Sequence, residues 1–212
     1  MAISNATRNR YCLFRHGESE SNVREVINSL PAEALVSGGL TETGTSQVQA
    51  AAERLRELPE AAGETVIIAS DFLRARQTAE LVAPVLGAEP PSLDSRLRER
   101  ACPLFHGKTA AEFRRVVWSA DKRGETSPGC ESVNDVFARL AAVVRGCESG
   151  GAGRLVVLVT HCDPARIFLA RWLGERVTQH FKLGALPTAG WYLLPAEPHA
   201  DARSELLCPA SS

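Results

Sequence analysis

No apolar run in the 212-residue sequence approaches the roughly 20 residues that a helix needs to cross a bilayer. The opening stretch, Met1 to Arg10, also lacks the apolar segment of a secretory signal. Neither sign of charge is in excess: 24 Lys and Arg stand against 25 Asp and Glu, for a formal net charge of -1. No global basic field draws the chain to nucleic acid or to an anionic membrane, so a site for an acidic substrate must be built locally, from a few arginines. The six cysteines show neither paired metal-ligand spacing nor a dense framework, and Cys12 falls in an apolar run. They read as reduced thiols in a cytoplasmic protein. Cys208 is one position too far from the end to form a prenylation box. Internal repeats and an interdomain linker are missing as well.

What is present fits one α/β domain over residues 1–195, with a Pro-, Ala- and Ser-rich flexible tail over 196–212. Tyr11-Cys12-Leu13-Phe14, Val66 to Ala69, Leu155 to Val159 and Trp191 to Leu194 read as buried strands. Between them, Val48, Ala51, Ala52, Leu55 and Leu58 share a helix face that Pro59 ends, after irregular chain marked by Gly38, Gly39 and Gly44. Ser70 and Asp71 are placed to cap a second helix, which Pro84 distorts or ends. Residues 88 to 109 read as irregular, Ala110 to Ser119 as helical, and Ser132 to Cys147 as a further helix. Pro164 opens a last helix running to Trp172. This alternation predicts a three-layer sandwich: a mainly parallel central sheet flanked by helices.

In such sheets ligands sit beyond the carboxyl ends of the strands. The first strand ends in Arg15-His16-Gly17-Glu18, the second in Ser70 leading to Arg74, and the third in Thr160-His161. Two histidines and two arginines thus converge on one rim. Arginine presents a planar, permanently charged fork that matches phosphate oxygens. A neutral histidine has a lone pair able to attack phosphorus. A leaving alkoxide needs a proton, so a carboxylic acid should stand close by.

These residues resemble the histidine phosphatase superfamily, which includes cofactor-dependent phosphoglycerate mutases. The resemblance runs through Arg15-His16-Gly17-Glu18-Ser19 with Asn22, Leu40-Thr41-Glu42-Thr43-Gly44, and Ser70 to Ala79 with Arg74. It continues through Leu97-Arg98-Glu99, Glu131-Ser132 with Asp135 and Arg139, His161 with Arg166, and Leu186-Pro187. It implies that His16 attacks phosphorus to give a phosphohistidine. Arg15, Asn22, Arg74 and His161 would hold the phosphoryl oxygens. Glu99 would protonate the leaving oxygen and then help activate water. Neither a metal nor another cofactor is implied. The partner would be a small-molecule phosphate ester or a phosphoprotein.

The sequence departs from the family pattern over Arg100 to Lys108, where only Gly107 fits, and at Cys162-Asp163-Pro164 after the second histidine. Asp163 is able either to repel a second phosphate or to orient a base. Gly107-Lys108-Thr109 hints at a P-loop, but Cys102 stands where its first glycine is required, which excludes nucleotide binding there. Only 61 residues separate Glu99 from His161, resembling the shorter phosphatase branch rather than the mutases. A phosphoglycerate mutase, and a phospho-ligand-binding protein of the same fold with weak chemistry, remain as alternatives. His106, His180 and His199 carry no motif and read as structural or surface residues, His106 with the option of reaching the substrate. Cys162 reads as a structural thiol, and Arg114, Arg115, Lys122 and Arg123 as a solvated face. Residues 23 to 36 and 100 to 123 are expected to wall the pocket. Oligomeric state is not legible.

Overall fold

A computed structural model describes residues 7–184 and 186–197. The expected tail lies outside the described residues from position 198 onward, and with it His199 and Cys208. Among the described residues no helix is long and apolar enough to cross a membrane.

Five strands form one sheet: β1 (Arg10–Arg15), β2 (Thr65–Ala69), β3 (Ser92–Leu93), β4 (Leu155–Thr160) and β5 (Trp191–Leu193). Their order is β3-β2-β4-β1-β5. All neighbours are parallel except β5, which runs antiparallel to β1 and pairs Cys12 with Leu193 and Phe14 with Trp191. β4 lies at the centre and is buried at all six positions, which is why it reads as an unbroken apolar run.

Period-two alternation sends the two faces of the sheet into two cores. On one face Tyr11, Leu13, Val156 and Leu158 pack against α3 (Val133–Gly150) and α4 (Cys162–Trp172), meeting Leu140 and Phe168. On the other, Cys12, Phe14, Val157 and Val159 pack against α1 (Glu42–Arg56) and α2 (Leu73–Val85), meeting Val48, Leu55 and Val82. The result is the expected three-layer α/β sandwich.

Two local expectations are corrected. Gly44 belongs to the first turn of α1, not to irregular chain: the helix starts at Glu42, and the Thr41 hydroxyl accepts the Gly44 N–H at 2.9 Å. The glycine is there for clearance, because a Cβ would fall 2.0 Å from the Glu18 carbonyl oxygen. Ser70 and Asp71 do not cap α2; Phe72 is the N-cap residue and contributes no side-chain cap. Ser70 Oγ lies 3.0 Å from His161 Nε2, and Asp71 pairs with Arg98.

The reading of reduced thiols fails for two of the six cysteines, since Cys102 and Cys130 form a disulfide that joins positions 28 apart. Disulfides persist in oxidising surroundings, so the cysteines no longer argue for a cytoplasmic setting. Cys12, Cys147 and Cys162 are free. Closing a loop of that length restricts the unfolded chain by roughly 3–4 kcal/mol. Reduction, or Cys130→Ser, is therefore expected to lower the unfolding free energy by about that much in urea titrations. Superimposable curves with and without reductant would show that the bridge does not form in solution.

Candidate active site

Strand register brings the reactive residues together. Arg15 pairs with Thr160 across β1 and β4, the His16 N–H donates to the Thr160 carbonyl at 3.1 Å, and the Ser70 N–H donates to Val159 at 2.9 Å. The two histidines that follow are side by side and buried, with ring centroids 5.1 Å apart.

Two contacts set the tautomer of His16. Its Nδ1–H donates to the Gly17 carbonyl at 2.7 Å, which leaves the Nε2 lone pair facing Arg74 Nε at 3.1 Å. Burial holds this ring well below the usual histidine range, and the Arg74 and Arg15 charges lower it further against the opposing Gly17 contact. His161 is lowered as well, by burial first and then by Arg74 and His16. The Ser70 hydroxyl accepts the Phe72 N–H and stands beside His161 Nε2, so its proton is free to point at that nitrogen. Both imidazoles are thereby kept neutral.

Arg74 projects from the first turn of α2. Its Nη2 donates to the Asn28 carbonyl at 3.1 Å, whereas Nη1 is buried without a partner. Burial lowers this guanidinium to about 10, and Glu99 opposes the shift, so it stays charged near neutral pH. Arg15 Nη1 donates to the Leu186 carbonyl at 2.5 Å, and its Nε is also unpartnered. His161 Nδ1 is a third buried group with no partner. Asn22 Oδ1 accepts from the Ser19 N–H and hydroxyl, at 3.0 and 2.9 Å.

Glu99 follows a short 3-10 turn (Ser95–Leu97) that neighbouring elements hold through main-chain and ionic contacts. The Thr160 hydroxyl donates to the Leu97 carbonyl at 2.8 Å, and Arg98 forms a double hydrogen bond with Asp71 at 2.6 and 2.7 Å. Arg139, itself paired with Glu131, reaches the Glu99 carbonyl at 3.4 Å. Glu99 lines the cavity and is half-buried there. That burial, with Asp163 adding to it, raises the carboxyl to about 7, against opposing contributions from the Arg100 N–H, Arg74 and Arg15.

Arg15, His16, Asn22, Arg74 and Glu99 line one cavity of about 580 Å³, and His161 packs against His16 beside it. Two cavity walls come from Glu25 to Asn28 and from Ala110 to Trp118, within the two segments expected, while Cys162, Asp163, Arg166, Phe181 and Gly184 add a side that lies outside them. Ala110–Phe113 runs through a π turn (Arg114–Trp118) into Ser119–Lys122. The two walls are joined to each other: Val26 bridges to Thr109, the Ile27 N–H donates to Lys108 at 2.9 Å, and the Gly107 N–H donates back to Ile27 at 2.9 Å.

His106 does not line the cavity; it pairs with Glu33 at 2.9 Å. His180 is structural, buried against Asp121, which also carries a double hydrogen bond from Arg100. Burial raises the Cys162 thiol above its usual range, so it is not a reactive thiolate. Arg115, Lys122 and Arg123 are exposed as expected, and Arg114 is exposed at the cavity rim. Sequence reasoning missed Asn28, whose carbonyl holds Arg74, and Trp118, whose indole N–H donates to Asp163 at 3.1 Å.

The model of the histidine phosphatase superfamily (branch 1) matches residues 11–203. The chain belongs to that superfamily. A glucosyl-3-phosphoglycerate phosphatase of Mycolicibacterium vanbaalenii is 31% identical over 205 residues, covering 91% of this chain and 86% of the relative. A probable phosphoglycerate mutase GpmB of Photorhabdus laumondii is 33% identical over 156 residues, covering 70% of this chain and 67% of the relative. Among solved structures, a mycobacterial glucosyl-3-phosphoglycerate phosphatase complexed with VO3 superposes with a TM-score of 0.74 at 28% identity. That match covers 88% of this chain and 92% of the other. The parallel sheet and its flanking helices are thus those of this superfamily, with both phosphatase and GpmB-like relatives.

Proposed function

We propose that this histidine phosphatase hydrolyses a small-molecule phosphate monoester through a phosphohistidine at His16, without a metal. The observation that carries the reading is the set of buried, unpartnered groups at Arg15 Nε, Arg74 Nη1 and His161 Nδ1, on residues that line the cavity with His16 or pack against it, while His16 Nε2 meets only the Arg74 Nε–H. Leaving such polar groups unsatisfied costs about 1–3 kcal/mol each, more for charged ones. A phosphoryl group brings three oxygens to meet them.

In the first step a bond forms from His16 Nε2 to phosphorus as the ester P–O bond breaks. The leaving oxygen takes the Glu99 proton. In the second step the Glu99 carboxylate accepts a proton from water, whose oxygen bonds to phosphorus as the P–Nε2 bond breaks, and inorganic phosphate departs. Arg15, Asn22, Arg74 and His161 hold the phosphoryl oxygens and oppose the charge that develops on them.

Glucosyl-3-phosphoglycerate is the first substrate to try, since the phosphatase relative is aligned over more of this chain than the mutase relative. Phosphoglycerate mutase activity is the second reading, supported by that GpmB relative. Incubation with glucosyl-3-phosphoglycerate in chelator should release inorganic phosphate. With 3-phosphoglycerate and 2,3-bisphosphoglycerate, release of phosphate should exceed formation of 2-phosphoglycerate. Fast isomerisation with little phosphate would overturn the phosphatase reading in favour of the mutase.

A further inference from the structure

The Cys102–Cys130 bridge stands just behind the acid, and phosphoryl transfer itself makes no use of it. From Glu99 outward, each residue is tied to the loop that carries Cys130. The Arg100 N–H donates to Glu99 Oε1 at 2.8 Å, and its guanidinium donates to the Glu131 carbonyl at 2.8 Å and to both oxygens of Asp121. The Ala101 carbonyl accepts the Glu131 N–H at 2.7 Å, and the Ala101 N–H reaches Glu131 Oε2 at 3.3 Å. One residue further along each segment, Cys102 and Cys130 close this ladder covalently. Glu131 also holds Arg139, whose Nη2 reaches the Glu99 carbonyl at 3.4 Å. Cys102 packs in a small core with Phe113 and Val117, and Phe113 lines the cavity. Around the bridge the chain is otherwise thinly packed: Ala101, Pro103 and Leu104 are exposed, as are residues 122–126, 128 and 129. Segments with so few buried contacts open locally at low cost unless they are tied down.

We propose that this bridge is a redox switch for the acid: a dithiol reductant opens it, slackens the Glu99 loop and lowers turnover of esters whose leaving oxygen needs a proton. This rests on the phosphatase reading above and adds a regulation of the same site. Cys102 is fully buried and Cys130 half-buried, so attack falls on Cys130 Sγ. A bond forms from a reductant thiolate to that sulfur, the S–S bond breaks, and Cys102 leaves as a thiolate that takes up a proton. The second thiolate of the reductant then attacks its own mixed disulfide and releases Cys130 as a thiol. The pair gains two electrons and two protons, and the dithiol ends as its cyclic disulfide. Cys12, Cys147 and Cys162 are already free and do not respond. Both bridged cysteines are positioning residues, acting on Glu99 through the ladder.

The test compares kcat/KM before and after treatment with dithiothreitol. One substrate is an alkyl ester (3-phosphoglycerate or glycerol 3-phosphate, whichever turns over faster). The other is p-nitrophenyl phosphate, whose phenolate leaves without a proton. Reduction should lower the alkyl value by about 10- to 100-fold, the scale of misplacing a catalytic group by about 1 Å. The aryl value should fall by less than about threefold, since it does not need the acid. Reoxidation should restore the ratio, and Cys130→Ser should show the reduced ratio with no further response to dithiothreitol. A merely structural bridge would lower both esters together or neither. Either result overturns the proposal, as does a protein that unfolds on reduction. Amide hydrogen exchange reads the coupling without turnover: residues 99–105 and 127–131 should exchange at least about tenfold faster after reduction, with β4 unchanged. Should the oxidised protein hydrolyse no ester, the phosphatase reading fails separately and exchange alone decides. Faster exchange confined to these segments upholds the coupling, and unchanged exchange overturns it.

Discussion

Replacing His16 by alanine is expected to lower kcat on any phosphate monoester by about ten thousand- to a million-fold, the scale of losing a nucleophile. The size follows from how few substitutes the site offers. His161 is the only nearby imidazole among the described residues, and its Nε2 is engaged by Ser70. Cys162 has its thiol raised by burial and so lacks thiolate character. His16→Asn is the companion variant, because its amide N–H is able to keep the bond to the Gly17 carbonyl while removing the attacking nitrogen. Steady-state phosphate release, with acid-quenched 32P labelling of the native protein, measures both halves of the claim. Residual turnover above one part in about a hundred in a folded variant, or label that stays in His16→Ala, would place the nucleophile elsewhere.

Glu99→Gln should cost about a hundred- to ten-thousand-fold on alkyl phosphates, the range for general acid catalysis. The loss should be far smaller on p-nitrophenyl phosphate, whose phenolate leaves without needing a proton. The pH profile carries a signature of its own. Burial raises the Glu99 carboxyl to about 7, so the group keeps its proton up to that region and loses it above. The acid is therefore present at pH 6 and fades as pH rises through 7. His16 lies well below its ordinary value of 6.5 and is already neutral there. Activity on alkyl esters should thus decline on the alkaline side of about pH 7, with the histidine limb on the acid side at lower pH. Glu99→Gln should flatten the alkaline decline. A variant with the native profile and native alkyl-ester rates would remove Glu99 from the proton-transfer role.

The layered sheet was legible because its central strands are buried on both faces and must be written as apolar runs, as in Leu155 to Val159. β3 was not, because two exposed residues, Ser92 and Leu93, carry no alternation to read. The motif residues at the strand ends were legible for a related reason: each sits where a readable strand stops. Arg166 was visible only as part of a motif. That it stacks on the Trp118 indole, which Asp163 holds in turn, depends on elements far apart in sequence. Gly44 shows the opposite failure. A glycine was read as loose chain when its real cause is a tertiary close approach inside a regular helix. The Cys102–Cys130 pair left no trace in the spacing, since the bridge joins two irregular segments whose proximity is fixed by the chain between them.

The two cavity walls are stitched to each other through Val26–Thr109 and the reciprocal Ile27 contacts with Gly107 and Lys108, while the phosphoryl-binding groups stand on the ends of β1 and β4 and at the start of α2. The two walls are therefore a single module rather than two, and the Asn28 carbonyl that holds Arg74 ties that module to the chemistry. Retargeting this scaffold means transplanting residues near 23–28 together with those near 106–118 as one cassette. A graft of either wall alone would arrive without the main-chain partners that give it its shape.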